Sequence, residues 1–137
     1  MSRTIKEVRV FSRKPEEIKN YLRDWFSENS FKINKEKSDG SSFNVRHWCS
    51  WIGCKISPHL GSIVAIRLDM SGCIVFETSL REEDSGTVIH GEFYAAGAEF
   101  WRGREFDLSP NPSAMAKWPR KKGYEMMAEL LQRLGSL

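Results

Sequence analysis

Apolar positions along the chain follow two different periods, and the change between them predicts the secondary structure. Near the start, Thr4–Phe11 alternates charged and apolar residues, which is typical of a strand. The next segment, Pro15–Glu28, has proline in its first turn and carries its apolar side chains at helical spacing. These side chains form one stripe: Ile18, Tyr21, Leu22, Trp25 and Phe26. The segment is predicted to be an amphipathic helix that ends near Asn29 and Ser30.

After this helix the period changes to two, which predicts antiparallel strands with one buried face. A tight two-residue turn is expected at Ser71 and Gly72, followed by a looser turn over residues 82–86. Gly91 interrupts an apolar alternation, which is typical of a bulge or of close backbone approach. Strands are expected at residues 31–35, 43–47, 51–57, 64–70, 73–81 and 87–94, with an irregular last strand or a loop over residues 95–112.

The end of the chain returns to helical spacing. Beyond Trp118 and Pro119, a second apolar stripe runs through Tyr124, Met127, Leu131 and Leu134. The element order predicts one α+β domain over residues 1–137, with a curved antiparallel sheet of about six strands. The amphipathic helix follows strand 1, and the long C-terminal helix packs on the sheet. A compact alternative places both helices side by side on one face.

Composition narrows the class of protein. Hydrophobic residues make up 40% and charged residues 28%, which favours a globular protein over a disordered one. No segment has the apolar length of a signal peptide core or of a membrane span. The chain has three cysteines, Cys49, Cys54 and Cys73, and an odd number suits a reducing compartment better than a set of disulfides. The sequence therefore predicts a cytoplasmic protein without a membrane span.

The element order resembles the helix-grip fold of the START and birch-pollen-allergen superfamily. This resemblance implies an apolar cavity between the sheet and the last helix, where family members bind lipids, hormones or other hydrophobic molecules, or carry out catalysis. The lining residues that it implies here are Val64, Ile66, Met70, Phe76, Thr78, Phe93, Tyr124, Met127 and Leu131. Alternatively, these side chains fill a solid core. The expected function is non-enzymatic binding of a hydrophobic small molecule.

A second candidate site combines cations with an aromatic ring near the start of the last helix. Its residues are Arg102, Arg104, Lys117, Trp118, Arg120, Lys121 and Lys122. Cations at a helix start oppose the helix dipole by about 0.3–1 kcal/mol each, so an anionic partner such as nucleic acid would explain them, with Trp118 stacking on a base. In the alternative, the helix starts nearer Ser113 and the charges occupy a solvated face. The formal net charge of +3 is weak support for a polyanion partner.

Two thiols and two imidazoles lie close together in the sequence: His47, Cys49, Cys54 and His59. This donor set suits a tetrahedral structural zinc ion. The alternative is that the cysteines are small buried apolar residues and the histidines lie at strand ends. No other cofactor is predicted.

His90 and Glu92 form the one titratable cluster that the sequence places on a strand, where a histidine beside a carboxylate can act as a general base. Because Ile89 and Phe93 define the apolar face, this pair is expected to face solvent. The sequence has no glycine-rich phosphate loop or nucleophile elbow, so an enzyme is the less favoured class. A homo-oligomer is possible if a tryptophan outside the core anchors an interface, the candidates being Trp48, Trp51 and Trp101.

Overall fold

The fold consists of a six-stranded sheet with two helices, seen in a computed structural model that describes residues 3–36, 41–50, 71–97, 104–112 and 116–137. In chain order the elements are β1 (Thr4–Phe11), α1 (Pro15–Glu28), β2 (Lys32–Glu36), β3 (Ser42–Ser50), β4 (Ser71–Glu83), β5 (Gly86–Gly97), β6 (Glu105–Asp107) and α2 (Lys117–Gly135). The predicted α+β class, with a helix after the first strand and a C-terminal helix on the sheet, is confirmed. The strands predicted at residues 51–57 and 64–70 lie outside the described residues.

All of the strand pairs are antiparallel, in the order β1-β5-β4-β3-β2. β5 pairs with β4 along one edge, whereas its other edge pairs first with β1 and then, from Tyr94 onward, with β6. β1 and β6 therefore lie end to end beside β5. Within the described sheet, β2 forms one edge, and β1 together with β6 forms the other.

The two faces of the sheet differ completely in what covers them. On the inner face, Trp25 of α1 stacks on Phe76 of β4, and Gly123 of α2 lies against Ile74 of the same strand. Since Ile74 and Phe76 are two residues apart, they point to the same side, and both helices pack on this face. The outer face carries polar side chains such as Glu77 together with the buried Val75, Val88 and Tyr94.

Both helices bury an apolar stripe, as their sequences predict. α1 has the predicted bounds, and its buried residues are Ile18, Leu22, Trp25 and Phe26. It ends at Asn29, whose Nδ2 donates to the Trp25 carbonyl oxygen over 2.9 Å. The buried residues of α2 are Pro119, Gly123, Met126, Met127, Leu130 and Leu134. Neither of these described helices has the apolar stretch that a membrane span requires.

The expected turn at Ser71 and Gly72 is wrong, because both residues belong to β4. Gly72 pairs with Cys49 of β3 on one side and with Gly97 of β5 on the other. A Cβ atom at Gly72 would lie 2.8 Å from the Ala96 carbonyl oxygen and 3.2 Å from Pro119 Cγ. The glycine thus allows close packing between two strands and α2. The turn from β4 to β5 is also tighter than expected, since only residues 84 and 85 separate these strands.

Gly91 on β5 leaves room for an aromatic ring, so Gly91→Ala is expected to destabilise the protein by about 1–3 kcal/mol. An added Cβ would lie 2.3 Å from Cζ of Phe93. That ring is buried and sits edge-on to Phe76, with 4.7 Å between the ring centroids, so it cannot move without disturbing the core. The free energy of unfolding, measured by urea denaturation, checks this expectation.

Gly135→Ala is the matched control, because a Cβ at that position meets nothing within 4 Å. Alanine is the better helix former, so this variant should be as stable as the wild type or slightly more stable. Equal unfolding midpoints for the two variants would contradict the proposed contact between Gly91 and Phe93.

Candidate functional site

Aromatic rings from α1, β4 and β5 meet around Phe76 at the centre of the inner face. Phe31 and Phe93 both lie with their ring centroids 4.7 Å from that of Phe76. Trp25 stacks nearly parallel to Phe76 at 6.2 Å, and Phe26 meets it edge-on at 6.5 Å. These distances are typical of favourable aromatic pairs, so the cluster contributes strongly to the packing of α1 on the sheet.

The residues that the helix-grip resemblance implies for a ligand site fall into three groups. Four are buried in the inner layer: Phe76, Thr78, Phe93 and Met127. Two are partly buried against the core on α2: Tyr124 and Leu131. Three lie outside the described residues: Val64, Ile66 and Met70. The described members therefore belong to the inner face of the sheet or to α2, and Phe76 lies under the rings of α1.

Two polar atoms in this layer are buried without a hydrogen-bond partner among the described residues. They are Oγ1 of Thr78 and Nε1 of Trp25. Trp25 stacks over Phe76, and Thr78 is the next residue of β4 on the same face, so the two groups flank that ring. Leaving a buried polar group unsatisfied costs about 1–3 kcal/mol. The sequence placed both residues on apolar faces but gave no sign that their polar atoms lack partners.

Thr78→Val is expected to stabilise the ligand-free protein by about 1–3 kcal/mol, because it keeps the side-chain shape and removes an unsatisfied hydroxyl. Thr87 provides the matched control: it is equally buried, but its Oγ1 donates to the Arg13 carbonyl oxygen over 2.8 Å. Thr87→Val should therefore lower the free energy of unfolding. Urea denaturation of both variants measures the difference, and equal losses would show that the Thr78 hydroxyl has a partner.

On the outer face, Arg3 gathers carboxylates from three strands. Its Nε and Nη2 donate to the two carboxylate oxygens of Glu105 over 2.8 and 2.9 Å. Its Nη1 donates to Glu92 over 3.2 Å and also to Glu77. The guanidinium lies over the Tyr94 ring, 4.1 Å from the centroid. This cluster is not predictable from the sequence, because no local pattern connects residue 3 with positions so far along the chain.

An open cleft of about 870 Å³ adjoins this cluster. Its lining residues are Arg3, Asn34, Lys35, Glu36, Ser42, Phe43, Asn44, Arg46, Glu77, Tyr94 and Glu105. Glu77 also accepts a hydrogen bond from Nδ2 of Asn44 over 2.6 Å. Lys35 forms no ion pair with a described carboxylate, and Arg46 acts on Glu105 only through its charge. One side of the cleft therefore carries the cations Lys35 of β2 and Arg46 of β3. The other side carries Glu77 and Glu105, whose negative charge Arg3 neutralises in part.

The charges of this cluster change the acidity of its members. Hydrogen bonds from Arg3 hold the pKa of the Glu105 carboxyl below its usual value. The same contact, opposed by burial, raises the pKa of the Arg3 guanidinium. Burial, followed by the negative charge of Glu77, raises the pKa of the Tyr94 phenol. An ionised Glu105 beside a protonated Arg3 is thus the favoured state at neutral pH.

Arg3→Met is expected to lower the free energy of unfolding at neutral pH and to lower it less at acidic pH. Because the folded-state pKa of Glu105 is lowered, the wild type gains stability above the unfolded pKa of about 4.3 and loses it as the pH falls through the folded value. The stability difference between wild type and variant should therefore shrink below about pH 4. Urea denaturation at several pH values measures it.

Arg104→Met serves as the control for charge alone, since Arg104 is exposed and has no carboxylate partner among the described residues. Its stability difference from the wild type should be small and independent of pH. A difference for Arg3→Met that stays constant down to low pH would contradict the assigned role of Arg3.

The basic residues near α2 are divided between solvent and structural contacts. Arg120 is 11% exposed, and it donates to the Asp107 carboxylate over 3.0 Å and to the Asp107 carbonyl oxygen over 2.9 Å. Trp118 packs against the core. The exposed members are Arg104, Lys117, Lys121 and Lys122, and Arg102 lies outside the described residues. An earlier helix start near Ser113 is wrong, since α2 begins at Lys117.

His47 and Cys49, two residues of the predicted zinc set, lie on β3. The imidazole of His47 packs on Phe31, and its Nδ1 lies 3.3 Å from the Ser30 carbonyl oxygen. Cys54 and His59 are outside the described residues. In the described part of the chain, no three histidine, cysteine or acidic side chains are grouped to hold a metal ion. The predicted zinc site therefore stays a prediction.

His90 and Glu92 occupy the outer face, as expected. His90 is 39% exposed at its side chain and lies 3.7 Å from both Glu7 and Glu92. Glu92 in turn accepts a hydrogen bond from Arg3. A solvated histidine between two carboxylates is an ordinary surface arrangement, and this pair adjoins the Arg3 cluster.

No protein-family model matches the chain, and no curated protein is significantly similar to it.

Proposed function

We propose that the protein binds a small hydrophobic molecule bearing a hydrogen-bonding group, in the layer between the inner face of the sheet and the helices. The observation that carries this proposal is the pair of buried polar atoms without partners, Thr78 Oγ1 and Trp25 Nε1. Buried polar groups in folded proteins nearly always have a partner, so an exception calls for a water or a ligand.

The chemistry of the two groups selects the class of ligand. An indole N–H only donates, whereas a threonine hydroxyl both donates and accepts. A carbonyl, ester or hydroxyl oxygen would satisfy either group. The surroundings are apolar, since Trp25 stacks on Phe76 and the buried Phe93 meets the same ring edge-on, so burying a charged group there would be costly. The favoured ligand is therefore neutral and mostly hydrocarbon, with one or two oxygen atoms.

The side chains around this layer support such a role. Met127 is unbranched and flexible, so it can rearrange around an apolar guest at lower cost than a branched side chain. Tyr124 and Leu131 are only partly buried on α2, which places them between the core and solvent. The resemblance to the helix-grip fold also supports binding between the sheet and the last helix, with Val64, Ile66 and Met70 as further proposed lining residues.

The test uses a panel of neutral apolar ligands, namely fatty alcohols, methyl ketones and methyl esters of graded chain length. Binding is followed by native mass spectrometry and by the rise in melting temperature. The wild type is expected to bind members of this panel at one site. Thr78→Val should weaken binding about tenfold, which corresponds to the loss of one hydrogen bond of about 1.4 kcal/mol. Trp25→Phe should weaken binding similarly.

Thr87→Val is the control variant, because it removes a buried hydroxyl that already has a partner. It should lower stability and leave the affinity of the folded protein unchanged. The combination of a more stable apo protein and weaker binding in Thr78→Val would distinguish a ligand group from a core residue. Absence of binding across the panel, or unchanged affinity in Thr78→Val, would refute the proposal.

A further inference from the structure

The outer strand β1 exposes an unusual set of side chains for the edge of a sheet. Ile5 is 59% exposed and Phe11 is 63% exposed, although both are large and apolar. Their odd positions place them on the outer face together with Glu7 and Arg9, because alternate residues of a strand share a face. This face of β1 thus reads apolar, acidic, basic, apolar in sequence.

The backbone of β1 also has unused hydrogen-bonding capacity. The amide of Ser12 donates to the Ser85 carbonyl oxygen over 2.9 Å, in register with the β1–β5 ladder. In an antiparallel ladder the hydrogen-bonded pairs alternate, so the even-numbered residues of β1 bond to β5. The backbone groups of Ile5, Glu7, Arg9 and Phe11 therefore point away from β5. No described residue bonds to these groups.

We propose that β1 pairs with β1 of a second copy of this chain, antiparallel and about a two-fold axis at Val8. In this register Glu7 lies opposite Arg9 of the second copy, and Ile5 lies opposite Phe11 of the second copy. Each pair occurs twice because the interface is isologous. In both pairs, Glu7 with Arg9 and Ile5 with Phe11, the backbone N–H and C=O groups point away from β5. These pairs would therefore form the hydrogen bonds of the new ladder.

Alternative registers lose this complementarity. A shift that moves the axis to Glu7 places two carboxylates opposite each other, and a shift to Arg9 does the same with two guanidinium groups. Like charges directly opposite one another destabilise a strand pair, whereas opposite charges and apolar pairs stabilise it. An axis between two residues would place a residue whose backbone groups point away from β5 opposite one whose groups already bond to β5, so the two could not form a hydrogen-bonded pair. Among the registers centred on Glu7, Val8 and Arg9, only the axis at Val8 pairs opposite charges with each other.

The contacts that Glu7 and Arg9 make within one copy still allow them to form ion pairs with the second copy. Arg9 bonds to Glu83, but a guanidinium has five donors and can hold a second carboxylate. Glu83 is also held by Arg81, at 3.1 Å, so it does not depend on Arg9 alone. Glu7 lies 3.7 Å from His90, which is a loose contact.

The opposite edge of the sheet contrasts with β1. β2 has five residues, all exposed, and its sequence KINKE includes Lys32 and Lys35. Its register with β3 shifts between Ile33 and Lys35. Short length, lysines and a bulge are features that protect an edge strand against pairing. β1 is longer, pairs regularly with β5 and carries large apolar groups, so it is the edge suited to self-association.

Charge reversal tests the proposed register. Wild-type protein is expected to be a dimer by sedimentation-velocity ultracentrifugation. Glu7→Arg and Arg9→Glu should each raise the dimer dissociation constant at least tenfold, because each places like charges opposite one another twice. Mixing the two variants in equal amounts should restore a dimer, since every Arg then faces a Glu. Native mass spectrometry identifies that dimer as mixed, and circular dichroism confirms that both variants fold.

Cross-linking gives a second test that does not depend on charge. In a background with Cys49, Cys54 and Cys73 replaced by Ser, Val8→Cys should form an intermolecular disulfide on oxidation. The two Val8 Cα atoms would lie about 4.5 Å apart as a pair without backbone hydrogen bonds, within the range that a disulfide spans. Lys6→Cys is the control, because its two copies would be four residues out of register, or about 13 Å apart.

A wild-type protein that is monomeric at all accessible concentrations would overturn the proposal. So would a dimer that tolerates both charge reversals, or one in which Lys6→Cys cross-links as readily as Val8→Cys. Rescue in the mixture together with selective cross-linking at residue 8 would establish it.

Discussion

The packing of the sheet against α1 is centred on the Phe76 ring. Rings of Trp25, Phe26 and Phe31 reach it from α1 and the segment that follows, and Phe93 reaches it from β5. β4 lies between β3 and β5, so its inner residues are covered on both sides as well as from above. Removing this ring would leave a large cavity under α1, and the position of Trp25 and Thr78 depends on it.

The same strand supplies both surfaces to which we assign a structural or functional role. Because side chains alternate along a strand, Phe76 points inward and Glu77 points outward. Inward residues meet the helices, while Glu77 meets Arg3 and Asn44. A one-residue slip of β4 would bury the carboxylate and expose the ring, so the two faces fix the register of the sheet together.

Features with a local period could be predicted from the sequence. The stripe of α1 recurs within a few residues, and the structure gives the helix the predicted bounds, Pro15–Glu28. The alternation of β4 and β5 is equally local. Ser71 and Gly72 misled the prediction because a small residue before a strand suits a turn, yet glycine is also required where Ala96 and Pro119 approach the backbone.

The candidate sites were harder to predict, because they depend on contacts between distant positions. Arg3 meets Glu77, Glu92 and Glu105, which are 74, 89 and 102 positions away along the chain. Nothing near residue 3 indicates such partners. For Thr78, the position of the side chain is predictable but its lack of a hydrogen-bond partner is not. Its place on the inner face follows from the alternation, but the absence of a partner becomes visible only when the neighbouring side chains are placed.

The distribution of charge explains why the two edges of the sheet differ. One guanidinium, that of Arg3, bonds to three carboxylates on the outer face, one each from β4, β5 and β6. Lys32 and Lys35 on β2 have no carboxylate partner among the described residues, so that edge has a basic excess. On β1 the charges alternate in sign, so a two-fold axis brings opposite charges together and no net charge is concentrated at the contact.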